Sequence, residues 1–357
     1  MIDLKQYGYI EGQAPSDDLI PGRVTELQRA SCTVITGRGE VTATLKGLFY
    51  HNAEAREDFP SVGDFVLLRY NDNGPSIISE LLPRRSKFSR ADFSGHAAGY
   101  VKTVLEQVVA TNFDYVFILS SLNLDFKVSR IQRYLTQARQ SSGLPVVILT
   151  KADLVEDYEA PLNAVRETAP DVPVHAVSSY TGFGVNALAE YLKPGKTIVF
   201  LGMSGVGKSS LLNTLMGQEV MAVKAIREED SRGRHTTTHR QLVMLPSGAM
   251  VIDTPGMREL GLFGAEEGIS AGFTDIEELF ASCRFSDCRH ETEPGCAVID
   301  ALENGDLSHE RWYSYNAQKR ENRFVDDKAG YLTDKRAWHK ELAKRSRKAK
   351  KNGDIRK

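Results

Sequence analysis

The stretch "LPVVILTKAD", residues 144–153, decides how the rest of the chain is read. "PVVILT" is an uninterrupted apolar run rich in β-branched residues, the pattern of a strand buried on both faces of a parallel sheet. The tetrapeptide that ends it, Thr150, Lys151, Ala152 and Asp153, has a chemistry of its own. Asp153 can accept two hydrogen bonds, from the ring and exocyclic N–H groups of guanine, while Lys151 lies along the base plane. Adenine would leave that carboxylate desolvated and unpaired, and a site of this kind discriminates by on the order of 10⁴. Four residues alone are a weak signal, so the weight falls on what surrounds them.

About fifty residues downstream stands "GMSGVGKSS", residues 202–210, which fits GxxxxGK[ST]. Gly202, Gly205 and Gly207 let the backbone N–H groups of Met203, Ser204 and Val206 approach phosphates with no Cβ in the way. Lys208 neutralises the outer phosphates, Ser209 offers a hydroxyl to Mg²⁺, and the helix entered at Lys208–Ser210 points its N-terminus at the anion. "DTPG" ends a further apolar strand, where Asp253 can hold the Mg²⁺ shell and Gly256 can present its N–H to the terminal phosphate. Between them, "GRHTTTH" (233–239) is polar and aperiodic, as suits a switch loop, with Thr237 the first choice to complete the Mg²⁺ shell and Thr236 and Thr238 as alternates. A Thr-rich strand start is the plainer reading of that segment. "SSY", Ser178–Tyr180, follows one more strand, and Ser178 and Ser179 can turn backbone N–H groups toward the guanine oxygen.

The order of these motifs is the informative part. A GTPase usually runs phosphate loop, switch, DxxG, base reader, serine loop. Here the last two come first and the cyclic order is kept. Each motif also sits at the carboxyl end of a predicted strand, where open α/β sheets bind ligands. A circular permutation moves the termini and preserves the site.

Residues 20–86 read differently, as the short strands "GRVTELQ", "SCTVIT", "EVTATLKG", "DFVLLRY" and "SIISELLP" between Gly, Asn and Asp turns. A small closed barrel follows, with an oligonucleotide-binding (OB) fold the leading candidate and an SH3-like barrel the other. Near the far end, "CRFSDCRHETEPGC" spaces Cys283, Cys288, His290 and Cys296 as C-x4-C-x-H-x5-C. Three thiolates and an imidazole complete a tetrahedral shell and leave no position for water, which favours structural zinc. Cys32, the remaining cysteine, is expected to be a small buried residue.

Composition sets the outer limits. With 357 residues, 41% hydrophobic and 26% charged, the chain suits two or three soluble domains. No run is long and apolar enough for a membrane span, and "MIDLKQYGYIEGQ" lacks the build of a signal peptide, so the cytoplasm is expected. The net charge of −2 divides into +9 over 335–357 (11 Lys/Arg against 2 Asp/Glu) and therefore −11 over the rest. A basic end on an acidic body suits a polyanion, though a solvated lysine-rich helix end has the same composition.

Taken together, "VGDFV", "LPRRSKFSR", "TKADL", "GMSGVGKSSLLN", "GRHTTTH", "DTPGMREL" and the cysteine cluster resemble the circularly permuted, ribosome small subunit-dependent GTPases, the RsgA/YjeQ family. The resemblance spans nearly the whole chain. It implies an α/β P-loop GTPase, circularly permuted, with an N-terminal β-barrel (OB-fold) over 1–90, the GTPase over 91–265, and a mostly helical zinc-binding domain with a basic tail over 266–357. It further implies GTP/GDP, Mg²⁺ and one structural Zn²⁺, a role in late maturation of the small ribosomal subunit, contact with its rRNA, no membrane, and a monomer. Thr150 departs from the family's usual Asn, and the shorter hydroxyl is expected to lose a contact to the base or a strut to the phosphate loop. Met257 stands where many GTPases carry the Gln that orients water. His235 resembles the family's switch histidine and is the candidate for that task, with a merely exposed loop histidine as the plainer reading. Two other classes remain open at this point: an RNA-binding module whose nucleotide site does not turn over, favoured by Met257, and a P-loop kinase or ATPase, disfavoured by Asp153.

Overall fold

The structure, a computed structural model, describes residues 1–10, 18–28, 30–47, 49, 56–92, 97–98, 101–102, 105–123, 126–218, 241–253 and 265–326. The expected barrel is there, built from β1 (Ile20–Leu27), β2 (Cys32–Thr36), β3 (Gly39–Leu45), β4 (Phe65–Arg69) and β5 (Ser76–Leu81). The strands run 1-2-3-5-4 and close through an antiparallel β1–β4 pair, with β3 and β5 parallel. That order belongs to the OB-fold rather than to an SH3-like barrel. Period-two alternation turns Val24, Val34, Ala43, Val66, Leu68 and Ile78 into the barrel, all fully buried. Cys32 lies among them as expected, and burial, then the Asp64 charge, pushes its thiol up to about 11.

A hairpin of β6 (Lys87–Asp92) and β9 (Leu105–Thr111) leads out of the barrel, with the two-residue strands β7 (Ala97–Ala98) and β8 (Val101–Lys102) between them. The second sheet holds β10 (Tyr115–Ser121), β11 (Leu144–Thr150), β12 (Val174–Ala176), β13 (Thr197–Leu201), β14 (Gln241–Met244) and β15 (Met250–Asp253). Its order is 12-11-10-13-15-14, parallel except for β14. The chain thus fills β10 and β11, reaches the β12 edge, and returns past both to put the phosphate-loop strand β13 in the centre. Cut between β12 and β13, with the end of β15 joined to the start of β10, it would run in the usual GTPase order, so the permutation is visible in the sheet itself.

Both faces of this sheet are covered. Phe117, Leu119, Ile148 and Phe200 pack under the helix Lys208–Met216, with Phe117 and Phe200 stacked at 6.0 Å. The alternate residues Val116, Ile118, Val147 and Leu149 meet the helices Val128–Gln140 and Glu159–Thr168. Near-continuous apolar strands are what two covered faces require.

The barrel joins the GTPase sheet edge to edge. Beyond a bulge in β1, Glu26 pairs with Gln241, so one eleven-stranded sheet runs through both. Arg23 seals the junction while fully buried. Its guanidinium donates to Tyr7 O (2.6 Å), Thr197 Oγ1 (2.9 Å), Asn112 O (2.8 Å) and Gly63 O (3.2 Å), which come from both units. Burial, then the neighbouring Arg85, lowers its pKa to about 9, and the group stays charged at neutral pH. Neutral acceptors replace the water such an ion loses. Nearby, Arg84 forks onto the buried Asp64 at 2.8 and 2.7 Å, which ties "LPRRSKFSR" to "VGDFV".

The C-terminal region consists of the helices Glu266–Gly272, Thr274–Ala281, Ala297–Asn304 and His309–Asp326 around Ile269, Phe273, Ile276, Val298 and Tyr315. It docks on the helix Val128–Gln140. A Cβ on Gly268 would lie 2.3 Å from Thr136 O, so only glycine permits this approach, and the Gly268 N–H donates to Gln140 Oε1 at 2.9 Å. Among the described residues, no helix is long and apolar enough to cross a membrane.

Candidate functional site

Four motifs converge on one rim of the sheet. Thr150 and Asp253 are the last residues of β11 and β15, Gly202 follows β13 directly, and Ser178 lies two residues past β12. All four strands are parallel, so their carboxyl ends open on the same side.

The phosphate loop is shaped by its glycines. Gly202 holds φ 154° with its virtual Cβ 2.5 Å from Leu119 O, and Gly207 caps the helix Lys208–Met216 at φ 99°. A side chain at Gly202 would displace the neighbouring strand; one at Gly207 would strain the turn. Ser204 and Gly205 are exposed at the crest, Val206 is buried beneath, and Ser209 and Ser210 lie half-buried in the first helical turn. Lys208 Nζ donates to the carbonyls of Gly202 (2.5 Å) and Met203 (2.6 Å), so its charge already lies over the loop that would hold phosphates.

Thr150 corrects part of the expectation drawn from its departure from Asn. Its hydroxyl donates to Val206 O at 2.5 Å, so the strut from the base-reading strand to the phosphate loop is present. The group is buried, and removing it would leave a carbonyl unpaired. Thr150→Val, nearly the same shape, is expected to cost about 1–3 kcal/mol and to weaken GDP binding. Thermal melting with and without GDP checks this, and an unchanged melting temperature would show the strut to be idle.

Lys151 takes a left-handed conformation (φ 61°), which turns the chain sharply so that Ala152 is buried and Asp153 exposed. The Ala152 N–H donates to Val177 O at 3.1 Å and sets the base-reading turn beside the serine loop. In that loop Ser178 is fully buried, and its Oγ accepts from the N–H groups of Tyr180 (3.2 Å) and Thr181 (3.1 Å). Ser179 is held through its carbonyl, which accepts from Thr214 Oγ1 at 3.2 Å. Thr214 belongs to the phosphate-loop helix, a link that sequence reasoning missed and that no motif announces. His235, Thr237 and Gly256, with Thr236, Thr238 and Met257, lie outside the described residues, as does the basic tail.

The second cluster stands apart, in the C-terminal region. The ligand atoms of Cys283, Cys288, His290 and Cys296 all lie within 4.8 Å of one another, and the cysteines are free thiols. His290 Nδ1 is 3.6 Å from Cys283 Sγ and 3.3 Å from Cys296 Sγ, and those two sulfurs are 4.0 Å apart. A zinc tetrahedron has edges of roughly 3.6–3.8 Å from its usual bond lengths, so the donor set fits such an ion. The His290 ring stacks on Phe280 at 4.4 Å and meets Trp312 edge-on, and burial lowers its pKa, which favours the neutral imidazole that ligates metal.

A profile of the RsgA GTPase family matches residues 81–263. The protein named small ribosomal subunit biogenesis GTPase RsgA 2 from Lactiplantibacillus plantarum is 44% identical over 302 residues, 85% of this chain and 83% of its own. The RsgA of Opitutus terrae is 41% identical over 320 residues, 87% of this chain and 85% of its own. Among solved structures, YjeQ from Thermotoga maritima matches with a TM-score of 0.61 at 27% identity, over 84% of this chain and 96% of that one. YloQ, described as a circularly permuted GTPase, gives 0.57 at 24% identity over 87% and 96%, and at that identity it speaks for the fold alone. Strand order and sequence relationship therefore agree, and the chain belongs to the RsgA family of circularly permuted GTPases.

Proposed function

We propose that this GTPase is a late assembly factor of the small ribosomal subunit, stimulated by that subunit and binding its rRNA, and that it works as a cytoplasmic monomer. The observation that carries the proposal is the Glu26–Gln241 pairing. Gln241 opens β14 one residue beyond "GRHTTTH", so the strand leaving the switch segment is held by the first strand of the barrel. RNA bound by the barrel would then bear directly on the segment that must order for hydrolysis. The names of the relatives, which speak of small ribosomal subunit biogenesis, supply the partner.

The roles follow from placement. Lys208 and the N–H groups of 202–210 would hold the phosphates, with Ser209, Thr237 and Asp253 around Mg²⁺ and Gly256 at the terminal phosphate. Asp153, Lys151 and the Ser178–Ser179 turn would read guanine. His235 would orient the attacking water, since the apolar Met257 cannot. A multiple-turnover assay with GTP and with ATP, with and without small subunits, separates this reading from a silent nucleotide site and from an ATPase.

Zinc is the proposed occupant of the cysteine cluster, where it would hold the C-terminal helices together. One zinc per chain is expected on metal analysis, and Cys296→Ser should release it and loosen residues 275–300, leaving the distant nucleotide site able to bind GDP. Purified wild-type protein free of zinc would sink the assignment. Acid should release the metal as well, because protons compete for the thiolates.

A further inference from the structure

We infer that Tyr180 is a base-stacking residue, its ring covering one face of the guanine that Asp153 reads. This rests on the proposed role of Asp153. Tyr180 is 92% exposed, and among the described residues its ring has no aromatic or cationic neighbour. The other aromatic of the same loop behaves oppositely: Phe183 packs on Tyr158 with ring centroids 5.3 Å apart. One ring anchors the loop and the other is left presented to solvent.

The loop that presents it is fixed. Ser178 Oγ holds the Tyr180 and Thr181 N–H groups, Ser178 N donates to Phe183 O (2.9 Å), and Gly182 N donates to Ser178 O (2.9 Å). Gly184, at φ 70°, passes so close that a Cβ would lie 2.1 Å from Ala176 O. A large aromatic on a rigid turn loses little conformational freedom on binding.

Its position selects the ligand. β11 and β12 pair in parallel with Leu149 opposite Ala176, and the Ala152–Val177 bond carries that contact past the strand ends. The Lys151–Asp153 turn and the Ser178–Tyr180 turn therefore leave the sheet side by side. A base whose edge reaches Asp153 and whose oxygen faces the Ser179 N–H lies across both turns. Tyr180 follows Ser179 directly, so its exposed ring would lie alongside a face of that base. Stacking needs only a π-face, so it adds affinity without reading which purine is present.

The test is calorimetric titration of the full chain with GDP and with inosine diphosphate, which lacks the exocyclic amine. Tyr180→Ala should weaken GDP by roughly 5- to 20-fold, the lower part of the range for a base-stacking aromatic because one ring face is engaged. Inosine diphosphate should weaken by the same factor, whereas Asp153→Asn should change the ratio of the two ligands. Tyr180→Phe should restore wild-type affinity, and Tyr180→Trp should gain a fluorescence change on GDP addition that the wild type lacks. The melting temperature without nucleotide should barely move, since the side chain is 92% exposed among the described residues. Unchanged GDP affinity in Tyr180→Ala would overturn the inference, including the case in which only subunit binding falls and the ring serves a macromolecular contact. Failure of Phe to restore affinity would overturn it too. If instead Asp153→Asn leaves GDP and the ligand ratio untouched, the base-reader assignment fails separately.

Discussion

Asp153→Asn should weaken GTP binding by roughly 10²- to 10⁴-fold and create a preference for xanthosine triphosphate. The carboxylate would accept from both the ring and exocyclic N–H groups of guanine, whereas the amide offers one acceptor and one donor. Xanthine replaces the exocyclic amine with a carbonyl, which the new amide N–H can meet while its oxygen still accepts from the ring. Fold stability should barely change, because Asp153 is exposed and surface substitutions usually fall within about 0.5 kcal/mol. Competition of both nucleotides against labelled GDP measures the swap. If the variant binds GTP as wild type does, Asp153 does not read the base.

The elements that were legible in the sequence are those whose pattern is local. β10 and the helix Lys208–Met216 have the bounds that their apolar runs and the phosphate-loop motif predict. The barrel strands alternate because one face meets the barrel core, except β4, where Phe65 and Leu67 are buried on the other face as well, and the four candidate metal ligands show in spacing alone. The β6–β9 hairpin is not legible, since "KFSRAD" carries almost no alternation and is fixed by pairing with residues as far away as Thr111. The helix Glu159–Thr168 escapes because it is short, bears Pro161 in its first turn, and buries only Leu162 and Val165. "VNALAEYL" reads as a helix, and its first six residues form one of the tighter 3₁₀ kind, Val185–Glu190, while the strand at "VHAVSS" stops at Ala176 because the buried Ser178 hydroxyl organises a turn there. Arg23 in an alternating strand gives no hint of full burial, because its acceptors lie up to 227 positions away. At the nucleotide site the residue types were readable and their mutual supports were not: Thr150 to Val206 and Thr214 to Ser179 join segments far apart in sequence.

The second large effect concerns hydrolysis. A switch GTPase with no assistance turns over at roughly 10⁻⁴ to 10⁻² per second, and assistance adds some 10³ to 10⁵. With Met257 unable to orient water, the unassisted rate of this chain should lie in that slow range. Small subunits should raise it by ordering "GRHTTTH" through the barrel strand that pairs with Gln241. His235→Ala should keep GTP affinity and lose most of the stimulation, which places the histidine at the water and not at nucleotide binding. The stimulation should also fall steeply with salt, by roughly 0.7 to 0.9 log units per tenfold salt for each phosphate neutralised. The most direct measurement is GTP turnover by the full chain with purified small subunits, with large subunits and with neither. A rate raised on the order of 10³-fold or more by small subunits alone is the predicted result, and equal rates in all three would contradict the account.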